Sequence, residues 1–157
     1  MSAAPRSPAR RHLLKGAVLS IGFSLGPAFG QATAPARLPG SLNGNRMLDA
    51  WLAINADGSV VIKTGKVELG QGILTALVQI AADELDVAPQ RVRVVSGDTA
   101  LTPNEGVTSG SLSIQQSGRA LRHVCAEVRR IFLERASDRL GTGIDALDIY
   151  RNQAGHQ

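Results

Sequence analysis

Two short stretches hold residues whose types and spacing suit the binding of an anionic ligand. The first is Gly70-Gln71-Gly72, set between a β-branched run and an apolar helical run. Glycines let a ligand approach the backbone closely. The first N–H groups of a helix have no partner inside it and carry the positive end of its dipole. A strand–GQG–helix junction therefore offers a place for a polar or anionic group, although the same residues also make a plain turn. The second stretch is Thr108-Ser109-Gly110-Ser111-Leu112-Ser113, which closes a loop over 100–113. Its hydroxyls and free N–H groups converge at a helix start, as a phosphate cradle requires. Ser or Thr at that place also serves as a simple cap. No Gly-Lys-Ser/Thr is present, so this is not a Walker loop.

Beyond binding, the chain shows no catalytic constellation. His12 lies near the start, His156 in the tail and His123 on a helix face. There is no HExxH, no Ser–His–Asp set and no pair of acids in a pocket motif. Cys125 is the single cysteine, so no disulfide and no cysteine-based metal or iron–sulfur site can be built from this chain alone. It reads as a small buried hydrophobe. Asp83, Glu84 and Asp86 gather at a helix C-terminus, as a solvated rim or as a metal site with no histidine to support it. Catalytic and metal-ligating roles are accordingly assigned to no residue.

The elements that must position the two turns follow from periodicity. Leu48, Ala50, Leu52 and Ile54 alternate with Asp49, Trp51, Ala53 and Asn55, which predicts a strand with one apolar face. Asn55-Ala56-Asp57-Gly58 predicts the turn of a hairpin, and 59–64 returns as a second strand that feeds straight into Gly70-Gln71-Gly72. A helix over about 72–86 follows. Its Ile73, Leu74, Leu77, Val78, Ile80, Ala81 and Leu85 cover most of the circumference and predict burial on more than one side. Pro89 blocks its continuation. Residues 91–96 alternate again as a third strand. A second helix over 111–140 carries Leu121, Val124, Cys125, Val128, Ile131, Phe132 and Ala136 at three- and four-residue spacing. Arg119, Arg122, His123, Arg129, Arg130 and Arg135 decorate its other faces, as a solvated surface or as a phosphate-binding one. Glu127 can pair with Arg130 for about 0.3 kcal/mol. Gly118 reads as a soft point where a bend costs little, and Gly141 and Gly143 end the helix. Residues 145–150 read as the start of another strand and 151–157 as a polar tail. The fold class is α+β: a β-hairpin, then helix, strand and long helix.

The formal net charge of +4 invites a nucleic-acid reading, and its location argues against one. Residues 1–34 hold Arg6, Arg10, Arg11 and Lys15 and no acid; the rest carries thirteen basic against thirteen acidic residues. The basicity belongs to the leader, and no aromatic–basic interleaving supports nucleic-acid binding. Arg10-Arg11-His12-Leu13-Leu14-Lys15, then an apolar run and small residues, make residues 1–34 a secretory leader that resembles the twin-arginine export signal. Residues 35–46 are rich in Pro, Gly and Asn and read as a linker, so that 47–150 form the folded part.

With the segments located, two passages carry a family resemblance: LDAWLAINADGSVVIKTGKVELGQGILTALVQIAADELDV, and RVRVVSGDTALTPNEGVTSGSLSIQQSGRALR. Together they resemble the start of the molybdopterin-binding large subunit of the xanthine dehydrogenase / aldehyde oxidase family. The exported bacterial branch with nicotinate, isoquinoline and aldehyde dehydrogenases is the nearest in character. The resemblance implies that Gln71 lies near the molybdenum cofactor, with Gly70 and Gly72 giving close backbone approach. It also implies that Thr108, Ser109, Gly110, Ser111 and Ser113 bind the cofactor's phosphate end. For the complete enzyme it implies hydroxylation of an aldehyde or N-heterocycle carbon with oxygen from water. Electrons then leave through a small subunit with [2Fe-2S] clusters, and commonly through cytochrome c. Export by the twin-arginine route implies a periplasmic location.

The departure from the family is length. The general-base glutamate near the family's C-terminal end has no counterpart in this chain. The expectation is a partial molybdopterin-binding domain, inactive alone, arising by truncation, frameshift or a split gene that completes its site with another chain. A non-catalytic exported domain that binds a partner is the competing expectation.

Overall fold

The computed structural model describes residues 37–147. The leader, the first part of 35–46 and the tail lie outside them. A three-stranded sheet has the order β1-β2-β3, with β1 Leu52–Ile54, β2 Val60–Thr64 and β3 Val92–Ser96. β1 and β2 are antiparallel, with Leu52 opposite Ile62 and Ile54 opposite Val60. β2 and β3 are parallel, from Val60 opposite Val92 to Thr64 opposite Ser96. A parallel pair needs a crossover, and the helix α1, Ile73–Leu85, supplies it. The tight helical turn Pro89–Arg91 then leads into β3. A six-residue π-helical turn, Ser113–Gly118, opens directly into α2, Arg119–Leu140. This is the α+β order that the sequence predicts.

The hairpin bends where the sequence places it. Gly58 has a φ of +78°, and the Asp57 carboxylate accepts from the Ser59 N–H at 2.8 Å and the Ser59 hydroxyl at 2.7 Å. Those bonds, the hydroxyl's first, hold the Asp57 carboxyl below the ordinary range. The first strand differs from expectation. Residues Leu48–Ala50 form a tight helical turn and only Leu52–Ile54 pair. At about three residues per turn, Leu48 and Trp51 fall on one side, and both are buried. Trp51, expected on the polar face, donates its Nε1–H to the Asn45 carbonyl at 2.8 Å.

One core joins all layers. Val60 and Ile62 of β2 meet Ile73, Leu77, Ala81 and Leu85 of α1, and Leu121, Val124, Cys125 and Val128 of α2. Leu74, Val78 and Ile80 pack at its edge, as an α1 covered on more than one side requires. The α2 stripe is covered only over its first half. Ile131 is half-buried and Phe132 exposed, because a helix of 13 residues spans about 20 Å and one of 22 about 33 Å. Gly118, read as a soft point, closes the π-helical turn, and a Cβ there would come within 3.3 Å of Ile80 of α1.

The stretch read as a linker is packed into the domain over its described part. Leu42 is completely buried. The Asn43 side chain bonds both the N–H and the carbonyl of Leu38. Gly40, at φ +57°, lies so close to the Gln116 carbonyl that a Cβ would overlap its oxygen. At the other end, Ile144–Ala146 is a tight helical turn and not the start of a strand; 148–150 lie outside the described residues.

Candidate cofactor-binding site

The turn 70–72 is open and already internally bonded. Gly70 and Gly72 have φ of +93° and +74°, and a Cβ at either would meet nothing within 4 Å. Their backbone faces solvent, as close ligand approach requires. The N–H groups are another matter. One oxygen of Glu68 accepts from Gly70 and Gly72, each at 2.8 Å, and the other from Leu74 at 3.2 Å. These bonds, the one from Gly72 foremost, hold the Glu68 carboxyl below the ordinary carboxylate range. The expectation of free N–H groups is met only in part: a carboxylate of the chain itself takes those of Gly70, Gly72 and, within α1, Leu74. Gln71 is exposed and folds back, donating to the Val67 carbonyl at 2.9 Å and accepting from the Leu69 N–H at 2.5 Å.

The second turn lies beside the first. The Thr108 hydroxyl accepts the Val67 N–H at 3.1 Å, which ties 108–113 to the residues that lead into 70–72. Ser109, Gly110 and Ser111 are exposed. The hydroxyls of Ser109 and Ser111 make no hydrogen bond among the described residues. Gly110, at φ +51°, has open space where a Cβ would stand. Ser113 is buried, at 6% exposure. Of the five residues predicted here, Ser109, Gly110 and Ser111 are exposed, Thr108 joins the turns and Ser113 is buried.

Beneath the turns runs a buried polar network that sequence reasoning did not assign. Glu105, 7% exposed, accepts from Thr64 Oγ1 at 2.7 Å, the Gly65 N–H at 2.9 Å and Ser117 Oγ at 3.1 Å on one oxygen. Its other oxygen accepts from Ser41 Oγ at 2.9 Å. Lys66, fully buried, donates to the carbonyls of Glu105 and Val107, each at 2.7 Å. Gly65 lies against the Pro103 carbonyl without room for a Cβ. The available signal was the lone acid of Pro103-Asn104-Glu105-Gly106, among small and hydroxylated residues.

Two arginines of α2 are engaged with acids, while the buried Nε of Arg129 has no partner among the described residues. Arg122 pairs with Glu84 at 2.6 Å and reaches Asp83 at 3.8 Å. Arg130 bonds Glu127 at 2.6 Å and also Glu134; the Arg130 bond draws the Glu127 carboxyl down. This is the solvated surface reading, with the expected Glu127–Arg130 pair present. His123 is exposed. Cys125 is buried, and burial pushes its thiol up. No cluster of three or more metal-ligating side chains occurs among the described residues, and none of their helices is long and apolar enough to cross a membrane.

Open glycine backbone in two adjoining turns, two unengaged hydroxyls and an exposed carboxamide fit a pterin that bears a phosphate. The sequence comparison decides the matter: residues 3–157 match the family described as the molybdopterin cofactor-binding domain. The chain belongs to that family. This molybdopterin-binding domain is 42% identical over 104 residues to a subunit of nicotinate dehydrogenase from Pseudomonas putida, covering 66% of this chain and 9% of that protein. Cu,Mo-CO dehydrogenase superposes with a TM-score of 0.58 at 26% identity, over 63% of this chain and 12% of that one. Quinoline 2-oxidoreductase of Pseudomonas putida 86 gives 0.57 at 26%, over 64% and 13%. The molybdopterin-binding domain thus spans a small fraction of the length of each protein it matches.

Proposed function

We propose that this chain is the cofactor-holding segment of a molybdenum hydroxylase that oxidises an aldehyde or an N-heterocycle. The observation that carries the reading is the Val67–Thr108 bond, which puts the two turns side by side. When bound, the molybdenum cofactor supplies the redox chemistry and the transfer of a water-derived oxygen to substrate carbon. The part of this chain is to hold and orient it. Ser109 and Ser111 would donate to its phosphate, and Gly70, Gly72 and Gly110 would let its ring system lie against backbone. Gln71 would turn its carboxamide toward the cofactor on exchanging its bonds to Val67 and Leu69.

The rest of the site, and the electron route through a small [2Fe-2S] subunit and cytochrome c, would lie on other parts of the assembly. One relative is itself named as a subunit of a complex, the 6-hydroxypseudooxynicotine dehydrogenase complex subunit gamma of Paenarthrobacter nicotinovorans. Leu69, Leu101, Val107 and Ile114 are exposed around the turns and suit coverage by such neighbours. The Arg10-Arg11 leader supports export to the periplasm. The test uses a complete large subunit that carries this segment. Gln71→Ala, and Ser109→Ala with Ser111→Ala, are expected to lower its pterin and molybdenum content several-fold. Unchanged content in both variants would overturn the reading.

A further inference from the structure

The buried network under the turns is costlier than it needs to be for stability alone. A buried ammonium and a buried carboxylate each lose more hydration than an apolar side chain of the same size. Here they are not paired with each other. Lys66 donates to the carbonyls of Glu105 and Val107, while Glu105 accepts from Thr64, Gly65 and Ser117. Every one of these bonds, apart from those to Ser117 and Ser41, crosses from the end of β2 to the loop 103–108. The row continues one step further, from the Val67 N–H to Thr108. Its two strands then diverge, one into 70–72 and the other into 109–113.

We propose that Lys66 and Glu105 are positioning residues that set the separation and register of the two cofactor-binding turns. Neither touches the open face. Each acts through the backbone that leads to it: Lys66 through the carbonyls on either side of Gly106, Glu105 through the Gly65 N–H. Ser117 ties the same carboxylate to the π-helical turn, and Ser96 donates to the Lys66 carbonyl at 2.7 Å, so β3 and the start of α2 brace the joint. The two turns are therefore held in one register, each to the other and both to the core. This rests on the reading of both turns as the cofactor cradle.

Hydrogen–deuterium exchange of the full 157-residue chain, resolved by residue, tests the coupling without cofactor. Lys66→Met is expected to raise exchange at least tenfold in both 67–72 and 108–113, with Leu77 of α1 and Val124 of α2 unchanged. A response in one turn only, in neither, or evenly across the domain overturns the proposal. Should Lys66→Met fail to fold, Glu105→Gln keeps the size and is expected to give the same two-site pattern. Thr64→Ser, which keeps the hydroxyl, is expected to match the parent, while Thr64→Val loosens both turns. Failure of the two readings is distinguishable. If both turns loosen in Lys66→Met while a complete subunit keeps its pterin in Gln71→Ala and in Ser109→Ala with Ser111→Ala, the coupling stands and the cradle falls. If those tip variants lose pterin while Lys66→Met leaves both turns protected, the cradle stands and the coupling falls.

Discussion

Within six residues the chain passes from Thr64 and Lys66, both shut away from solvent, to Leu69 and Gly70, both open to it. The loop 103–111 makes the same passage, from buried Pro103 and Glu105 to exposed Ser109 and Ser111. At the base, Thr64, Gly65, Lys66 and Glu105 bond across the joint, and a glycine is present because a carbonyl leaves no room for a side chain. At the tips, glycines are present because the backbone turns left-handed, and the space around them is empty. The same residue type thus serves steric closeness in one region and an open, left-handed backbone in the other. Rigidity and binding chemistry are separated along the chain.

That contrast can be broken most sharply at the base. Gly65→Ala forces a methyl against the Pro103 carbonyl and is expected to cost about 3 kcal/mol of unfolding free energy, measured by urea denaturation. A loss near zero would show the joint to be loose. Thr64→Val leaves Glu105 and Ser117 short of a buried partner and is expected to cost about 2 kcal/mol in the same measurement. Gly70→Ala and Gly72→Ala meet no atoms; the left-handed backbone alone is expected to cost about 1 kcal/mol at each. A loss as large as that of Gly65→Ala would erase the distinction between base and tip. Ser109→Ala with Ser111→Ala is expected to change stability by under about 0.5 kcal/mol per site, although pterin retention falls.

The smallest effect is one of pH. Backbone N–H groups lower the Glu68 carboxyl from its ordinary value of 4.5. Its contribution is then fully present above that value and is lost as pH falls through the lowered one. The amide signals of Gly70 and Gly72 are expected to titrate with a midpoint below 4.5. Movement centred at or above the ordinary value would mean that Glu68 does not hold this turn.

The regular elements were legible in the sequence because their cause is local. Val60 and Ile62, the Asp57-Gly58 bend and the α1 stripe each declare themselves within a few residues. Trp51 did not, since alternation and a three-residue turn make the same short string look alike. Nor did the packing of Leu42 and Gly40, whose partners lie far along the chain. The two turns were legible as glycine and hydroxyl clusters at helix starts, and the resemblance joined them. Glu68, Lys66 and Glu105 went unassigned because a charged residue in a loop reads as solvated. The bonds of Lys66 and Glu105 to one another's segments span some forty residues, a distance no local pattern can report. The turn N–H groups taken by Glu68 show the same limit: Glu68 is close in sequence, yet whether its carboxylate curls back is a matter of loop shape.

The Glu68 carboxylate has a thermodynamic consequence. By gathering the N–H groups of Gly70, Gly72 and Leu74, it does for the turn what a bound anion would otherwise have to do. On the proposed reading, a cofactor arriving there would find backbone whose conformational entropy has already been lost during folding. Its association would then carry little ordering penalty at this turn, and the main rearrangement asked of these residues would be the rotation of one side chain, Gln71.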